Sequence, residues 1–388
     1  MPIINRFAEF NDDIVAWRRE FHRHPELLYE VHWTAAKVAE RLRSFGVDEV
    51  VSGIGRTGVV GVIKGRKAGA GKVIALRADM DALPIREATG KPYASEAPGR
   101  MHACGHDGHS AMLLGAARYL AETRNFAGTA VVIFQPAEEG GAGGKAMIDD
   151  GLMERFAIDE IYGLHNMPGL TAGHFVTRPG PLLAATDEFT LTIKGYGGHA
   201  AKPHHTVDPI AVGAALVQAL QTIVSRSVDP VRSAVVSVTT FHAGEAHNII
   251  ADQAELRGTA RSFDPEVRRV IEQRMRDIAE GVGAAFGAEI DVNYRRGYPS
   301  TVNHERETEF AISVAAEVAG AGNVDPLAPP VMGGEDFAYM LEKRPGAFLF
   351  IGNGDTAGLH NAAYDFNDEI IPIGCSYWVR LVETAMPA

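Results

Sequence analysis

Apolar residues recur at helical spacing early in the chain. Asp12–His24 and His32–Phe45 predict two helices, the second aligning Val38, Leu42 and Phe45 and stopping at Gly46. Short runs rich in Val and Ile follow at Thr57–Lys64, Lys72–Ala78 and Thr129–Phe134. They are apolar on both faces, as buried strands of an α/β sheet are. Ser110–Glu122 reads as a helix between the last two. Polar and Gly-rich stretches fall where these strands end, which is where open α/β sheets bind ligands. The rhythm then changes. Strands at Glu188–Lys194, Val235–Phe241, Ala254–Arg261 and Glu289–Tyr294 alternate with helices at Asp208–Val224 and Pro265–Phe286. That β-α-β-β-α-β order is the ferredoxin-like split arrangement. A helix at Glu305–Ala319, a strand at Ala347–Ile351 and a helix at Ile373–Ala385 close the chain. The predicted architecture is an α/β domain, 1–184 with 297–388, interrupted by a small α+β domain at 185–296.

Composition narrows the functional classes. Of 388 residues, 46% are hydrophobic and 22% charged, which is ordinary globular usage and excludes a disordered chain. The 37 Lys+Arg and 49 Asp+Glu leave a net charge of −12, which repels phosphate backbones, so no nucleic-acid partner is expected. Two cysteines are too few for a disulfide-built secreted scaffold. Met1–Phe10 lacks a basic-then-apolar leader, and no run of 18 apolar residues predicts a membrane span. A soluble, cytoplasmic protein is the expectation.

The chemistry concentrates in Met101-His102-Ala103-Cys104-Gly105-His106-Asp107-Gly108-His109. A thiolate and imidazoles packed this closely suit a transition metal, and on extended backbone Cys104 and His106 would face one side. A nucleophilic Cys104 paired with His106 is the other option. Glu138-Glu139 follows the Thr129–Phe134 strand; one carboxylate can ligate while the other acts as a base. Asp79 and Asp81 end the Lys72–Ala78 strand on a common side, placed to orient ligating imidazoles. His165 lies at another strand end, His360 in a Gly- and Asn-rich loop, and His199 in the inserted domain. His22, His24, His304 and the pair His204–His205 lack such context and are read as structural. One Cys, three His and paired Glu exceed what a single four-coordinate ion needs, so two metals are expected.

These motifs resemble those of the M20 family of metallo-aminohydrolases, in its hippurate hydrolase, N-acyl-amino-acid amidohydrolase and auxin-conjugate hydrolase branch. The match runs in order through His24-Pro25-Glu26-Leu27, Arg77–Pro84, His102–His106, Gln135–Gly141 and Gly163–His165. It continues through Gly197–Ala200, Asn248-Ile249-Ile250, Gly334-Glu335-Asp336-Phe337 and His360-Asn361. The resemblance implies a zinc-peptidase-like α/β catalytic domain carrying an inserted ferredoxin-like lid or dimerisation domain. It makes Cys104, His106, Glu139, His165 and His360 the metal ligands and Glu138 the general base. His199 would reach the partner subunit's active site and steady the oxyanion, and Asn248 and Arg261 would lie near the substrate carboxylate. Where many members carry a ligating His in a His-x-Asp motif, this chain has Asp79-Met80-Asp81; the branch shares that change and uses the Cys, with Asp81 in the orienting-acid position.

The implied reaction is hydrolysis of an N-acyl amino acid to a carboxylic acid and a free amino acid. It would use two divalent ions (Zn2+, Mn2+, Ni2+ or Co2+) in a homodimer joined through the lid, with a tetramer as a further option. A dipeptidase or carboxypeptidase of the same family is the alternative. A cysteine hydrolase and a metal-binding interaction module are the rivals from other classes.

Overall fold

In the computed structural model, which describes residues 3–66 and 71–388, the chain divides into two units with separate cores. The first two positions of the Met1–Phe10 stretch lie outside the described residues. The first unit comprises the chain through Leu182, Thr301–Pro329 and Asp336–Ala388; Leu183–Ser300 and Pro330–Glu335 form the second. Pro330–Glu335 joins the second unit through backbone pairing: the Ala184 N–H donates to the carbonyls of Val331 and Gly333.

The first unit is built on an eight-stranded mixed sheet. Its order is Glu49–Ile54, Gly58–Lys64, Thr129–Gln135, Val73–Asp79, Glu160–Pro168, Gly346–Gly354, Phe175–Val176 and Val324–Asp325. The four strands Thr129–Gln135, Val73–Asp79, Glu160–Pro168 and Gly346–Gly354 run parallel and side by side. They are almost wholly buried, which is why they read as unbroken apolar runs rather than alternating ones. Glu49–Ile54 is absent from the sequence-based pattern because only Ile54 is buried. It is an edge strand held by its antiparallel neighbour Gly58–Lys64.

Two helices differ from expectation in ways that bear on the site. Arg6–Arg23 begins before the predicted Asp12, because Phe7 and Phe10 extend the buried face of Ile14 and Phe21. The helix predicted at Ser110–Glu122 spans His106–Thr123 and is buried around most of its circumference. Such a helix is central. At Gly115 a side chain would meet Cys375 Sγ and Ile14 Cδ1 at 2.7 Å, so the glycine lets Arg6–Arg23 and Ile371–Ala385 approach this helix closely.

The second unit has the antiparallel order Ala234–Ala243, Gln253–Ser262, Ala185–Lys194 and Glu289–Arg296, with helices Pro209–Thr222 and Pro265–Phe286. Ala185–Lys194 alternates strictly, burying Phe189, Leu191 and Ile193 and exposing Glu188 and Lys194. Pro209–Ser227 is long and apolar enough by composition to cross a bilayer. Its row Val212, Leu216, Leu220 and Ile223 packs in this unit's core.

One buried carboxylate organises the second unit's end. Asp187 accepts from Arg268, from the Tyr294 hydroxyl at 2.7 Å and from the Gly297 N–H at 3.2 Å. Removing it leaves a mostly buried guanidinium without its main counter-charge, which costs about 3 kcal/mol. Asp187→Ala is therefore expected to lower stability by that amount in urea unfolding followed by circular dichroism. A loss below about 1 kcal/mol would show the cluster to be dispensable.

Candidate active site

Three neighbouring parallel strands of the first unit deliver the chemistry at their C-terminal ends. Asp79 ends Val73–Asp79, in register with Gln135 of Thr129–Gln135, and His165 lies within Glu160–Pro168. The loop after Gln135 is unusual. Ala137 and Ala142 both adopt φ of +54° and Gly140 adopts +93°, a left-handed geometry that costs free energy in alanine. Asp81 helps to hold this shape. Fully buried, it accepts the Glu138 N–H at 3.0 Å on one oxygen and the Glu139 N–H at 3.1 Å on the other. The same carboxylate lies 3.5 Å from His106 Nδ1. Asp81 thus holds two consecutive glutamates by their amides and stands beside one imidazole. Burial raises its pKa above the ordinary carboxylate value, against the opposing pull of His106.

Cys104 and His106 converge by a route other than the strand alternation expected for them. Gly105 takes φ of +92°, and His106 opens the following helix. A side chain at Gly105 would stand 2.0 Å from Asn166 Oδ1, so both the turn and the packing need glycine. Potential ligand atoms of Cys104, His106 and Glu139 all lie within 4.8 Å of one another. Cys104 Sγ is 3.4 Å from His165 Nε2, and His360 Nε2 is 3.2 Å from Glu139 Oε1. His360, itself at φ +62°, is tied back by its N–H to the Ala103 carbonyl at 2.8 Å. The five expected ligands therefore come together, with Glu138 beside Glu139.

The donor set fits transition metals. Neither ring nitrogen of buried His106 has an aligned hydrogen bond among the described residues, and Glu139 Oε1 also lacks one. His165 directs Nδ1 to the Asn166 carbonyl at 2.6 Å, which leaves Nε2 facing Cys104. A buried thiol, imidazoles and a carboxylate with spare donor atoms are what zinc-like ions accept. Burial lifts the Cys104 thiol well above its usual pKa, reinforced by Glu139, Glu138 and Asp79. His106 is pushed up to about 10, because Asp79, Asp81 and Glu139 outweigh the opposing effect of burial.

Asp79 takes the orienting place expected of it, but its partners were not legible in the sequence. His109 stands one helical turn after His106, its Nδ1 2.7 Å from Asp79 and its Nε2 accepting the Asn166 N–H at 2.9 Å. Asp79 is also paired with Arg77 at 2.8 Å, and Arg77 reaches Asp336 at 3.0 Å. Burial opposes ionisation of Asp79, yet His106, Arg77 and His109 hold it well below the usual carboxylate range. Asp336, from the Gly334–Phe337 motif, further accepts from Gln135 and from the Gly144 N–H. The i,i+3 spacing of His106 and His109 was the available signal, obscured while that segment was read as extended.

In the second unit, short strands Gly198–His199 and Ile249–Ile250 pair antiparallel, and the Ala200 N–H donates to the Asn248 carbonyl. This places His199 opposite Ile249, one position from Asn248. Arg261 sits toward the far end of Gln253–Ser262, half-buried and bonded to Thr259 and Ala260.

His22, read as structural from the sequence, is buried against the site's outer wall. Its Nδ1 lies 2.8 Å from Asp107 and its Nε2 3.4 Å from Glu87. Arg18 and His102 are the nearby cationic or ionisable groups. Burial disfavours the charged ring, but the hydrogen bond to Asp107 and the carboxylate of Glu87 prevail and raise its pKa to about 9.

The model of peptidase family M20/M25/M40 matches residues 75–384. A hippurate hydrolase from Campylobacter jejuni is 42% identical over 381 residues, covering 98% of each chain. An N-acetylcysteine deacetylase from Bacillus subtilis is 39% identical over 96% of each chain. Among solved structures, a dinuclear metal-binding M20 peptidase from Bacillus subtilis superposes with a TM-score of 0.85 at 36% identity, covering 98% of this chain and 99% of that one.

A folded pKa near 9 against about 6.5 unfolded fixes the sign of a pH effect. His22 contributes stability that is complete below pH 6.5, declines from there to 9 and is absent above. The full contribution is roughly 3 kcal/mol. Urea unfolding of wild type and His22→Gln across pH 6–9.5 should show their difference shrinking as pH rises; a constant difference would contradict the charged imidazole.

Proposed function

The chain belongs to peptidase family M20/M25/M40, and from that premise we propose that it is a metal-dependent amidohydrolase cleaving N-acyl amino acids. The observation that carries this is the buried Cys104–His106–Glu139 cluster with its spare donor atoms, set directly beside Glu138. Names among its relatives support the substrate class: one is a hippurate hydrolase and another an N-acetylcysteine deacetylase.

Cys104, His106, Glu139, His165 and His360 would hold two divalent ions, with the thiol favouring Zn2+, Ni2+ or Co2+ and the family resemblance adding Mn2+. When bound, such ions polarise a carbonyl and lower the pKa of water. Glu138, nearly buried on a strained loop, accepts the proton of the attacking water and returns it to the leaving amine. Asp81 keeps Glu138 and Glu139 on their separate tasks by fixing both amides. Two free, buried thiols suit a reducing, cytoplasmic setting.

The first unit is read as catalytic and the second as a lid and dimerisation unit. Support comes from the second unit's edges. Ala234–Ala243 carries no Asp, Glu, Lys or Arg, whereas the opposite edge, Glu289–Arg296, carries four. Charge protects an edge strand from pairing, so the uncharged edge is the one suited to a second copy. Exposed His199 and Asn248 would then serve the neighbour's site, and Arg261 would bind substrate carboxylate.

Two experiments test the reading. Glu138→Gln should lower kcat at least ~10²-fold with metal content unchanged, while Glu139→Gln should lose metal on elemental analysis. Swapped phenotypes would reverse the assignment, and full activity of exhaustively chelated enzyme would refute a metal-dependent reaction. For the dimer, inactive Glu138→Gln and His199→Ala subunits are mixed after brief dissociation and assayed on N-benzoyl- and N-acetyl-amino acids. Partial recovery is expected; none, despite proven heterodimers, would mean that His199 does not act in trans.

A further inference from the structure

Two of the proposed ligand-bearing segments lie far apart in sequence, at Cys104–His106 and at His360. A buried ionic cluster behind them, which no step of hydrolysis uses, touches both. Its centre is Arg18 on the Arg6–Arg23 helix, with no exposed surface.

On one side, Arg18 Nε approaches Asp107, the residue after His106, at 3.8 Å, and His22 Nδ1 lies 2.8 Å from the same carboxylate. On the other side, Arg18 Nη2 donates to the Phe366 carbonyl at 2.7 Å and to Asp365 at 3.1 Å, while Nε pairs with Asp368 at 2.9 Å. These acceptors follow His360 across a tight turn. There the Tyr364 N–H donates to the Asn361 carbonyl and the Ala363 N–H to the Asn361 side chain. Tyr93 and Lys91 also bind Asp365, so that segment is clamped from two sides. Phe366 packs where Gly108 has no side chain; a Cβ there would come within 2.2 Å of its ring.

We infer that Arg18 and His22 are positioning residues that fix the His106–Asp107 helix start against the His360 loop, so that the ligands of both stand in place before a metal arrives. The inference rests on the ligand assignment proposed above. A guanidinium buried this completely is costly unless opposite charge surrounds it; only Nη2 makes aligned hydrogen bonds, and the carboxylates that neutralise the group come from the two segments that need registration. Groups behind metal ligands change affinity about 10–100-fold when removed.

Metal dissociation constants, measured by competition with a chromophoric chelator using Zn2+ alone, test this. Arg18→Gln and His22→Gln are each compared with wild type, at a temperature where near-ultraviolet circular dichroism shows native packing. Each should weaken binding about tenfold or more. The same substitutions are then made in a His360→Ala background. Registering two segments matters only while both supply ligands, so there each should change affinity less than about threefold. Binding within twofold of wild type in the single variants would overturn the inference. So would an equal loss in both backgrounds, since that would mark a general effect on the fold. Should Arg18→Gln fail to fold, His22→Gln carries the comparison. A wild-type protein that binds fewer than two ions would instead refute the ligand assignment itself.

Discussion

The site depends on one carboxylate that performs no chemistry. Asp81 uses both oxygens to accept consecutive backbone amides, Glu138 and Glu139, and faces His106 with the same group. Consecutive amides point one way only when the backbone leaves the extended form, and the positive φ of Ala137 just before them is the local expression of that departure. Without an acceptor there, one buried and one partly buried N–H would be unsatisfied and the strained loop would relax. The division of labour between adjacent glutamates is therefore a property of the residue that holds their backbones.

Charge is buried or half-buried behind this site. The chain Asp336–Arg77–Asp79–His109 runs below one wall, and Arg18 with Asp107, Asp365 and Asp368 below another. Each carboxylate and each guanidinium is costly alone and tolerable together. Their value lies in direction. An ionic network with several fixed donors has few alternative geometries, whereas an apolar filling of the same volume has many. Apolar packing supplies the closeness, as where Gly115 lets two helices reach the His106–Thr123 helix.

The second unit obeys a simpler rule. Its strands alternate in and out, its two helices bury one face, and its edges differ in charge. His199, opposite Ile249 in a two-residue ladder, and Asn248 beside that ladder are both exposed. Residues held in this way can meet something other than their own chain.

The five-residue ligand set came from the family resemblance, whereas the order of the main strands and helices, the ferredoxin-like insertion and the clustering of Cys104 and His106 and of Glu138 with Glu139 were legible in the sequence. Each leaves a local mark: period two or continuous apolarity for strands, period 3.6 for helices, and clustered Cys, His and Glu at strand ends. The exposed strand Glu49–Ile54 left no such mark and was missed. Tertiary structure decided how the donors meet. Gly105 in a left-handed conformation, not strand alternation, turns Cys104 toward His106. His22, set aside as structural, and His109 proved to be partners of Asp107 and Asp79, across separations of 85 and 30 residues. No periodicity encodes such pairs. A ligand announces itself by residue type, but the group that aims it is chosen by whatever the fold carries within 3 Å.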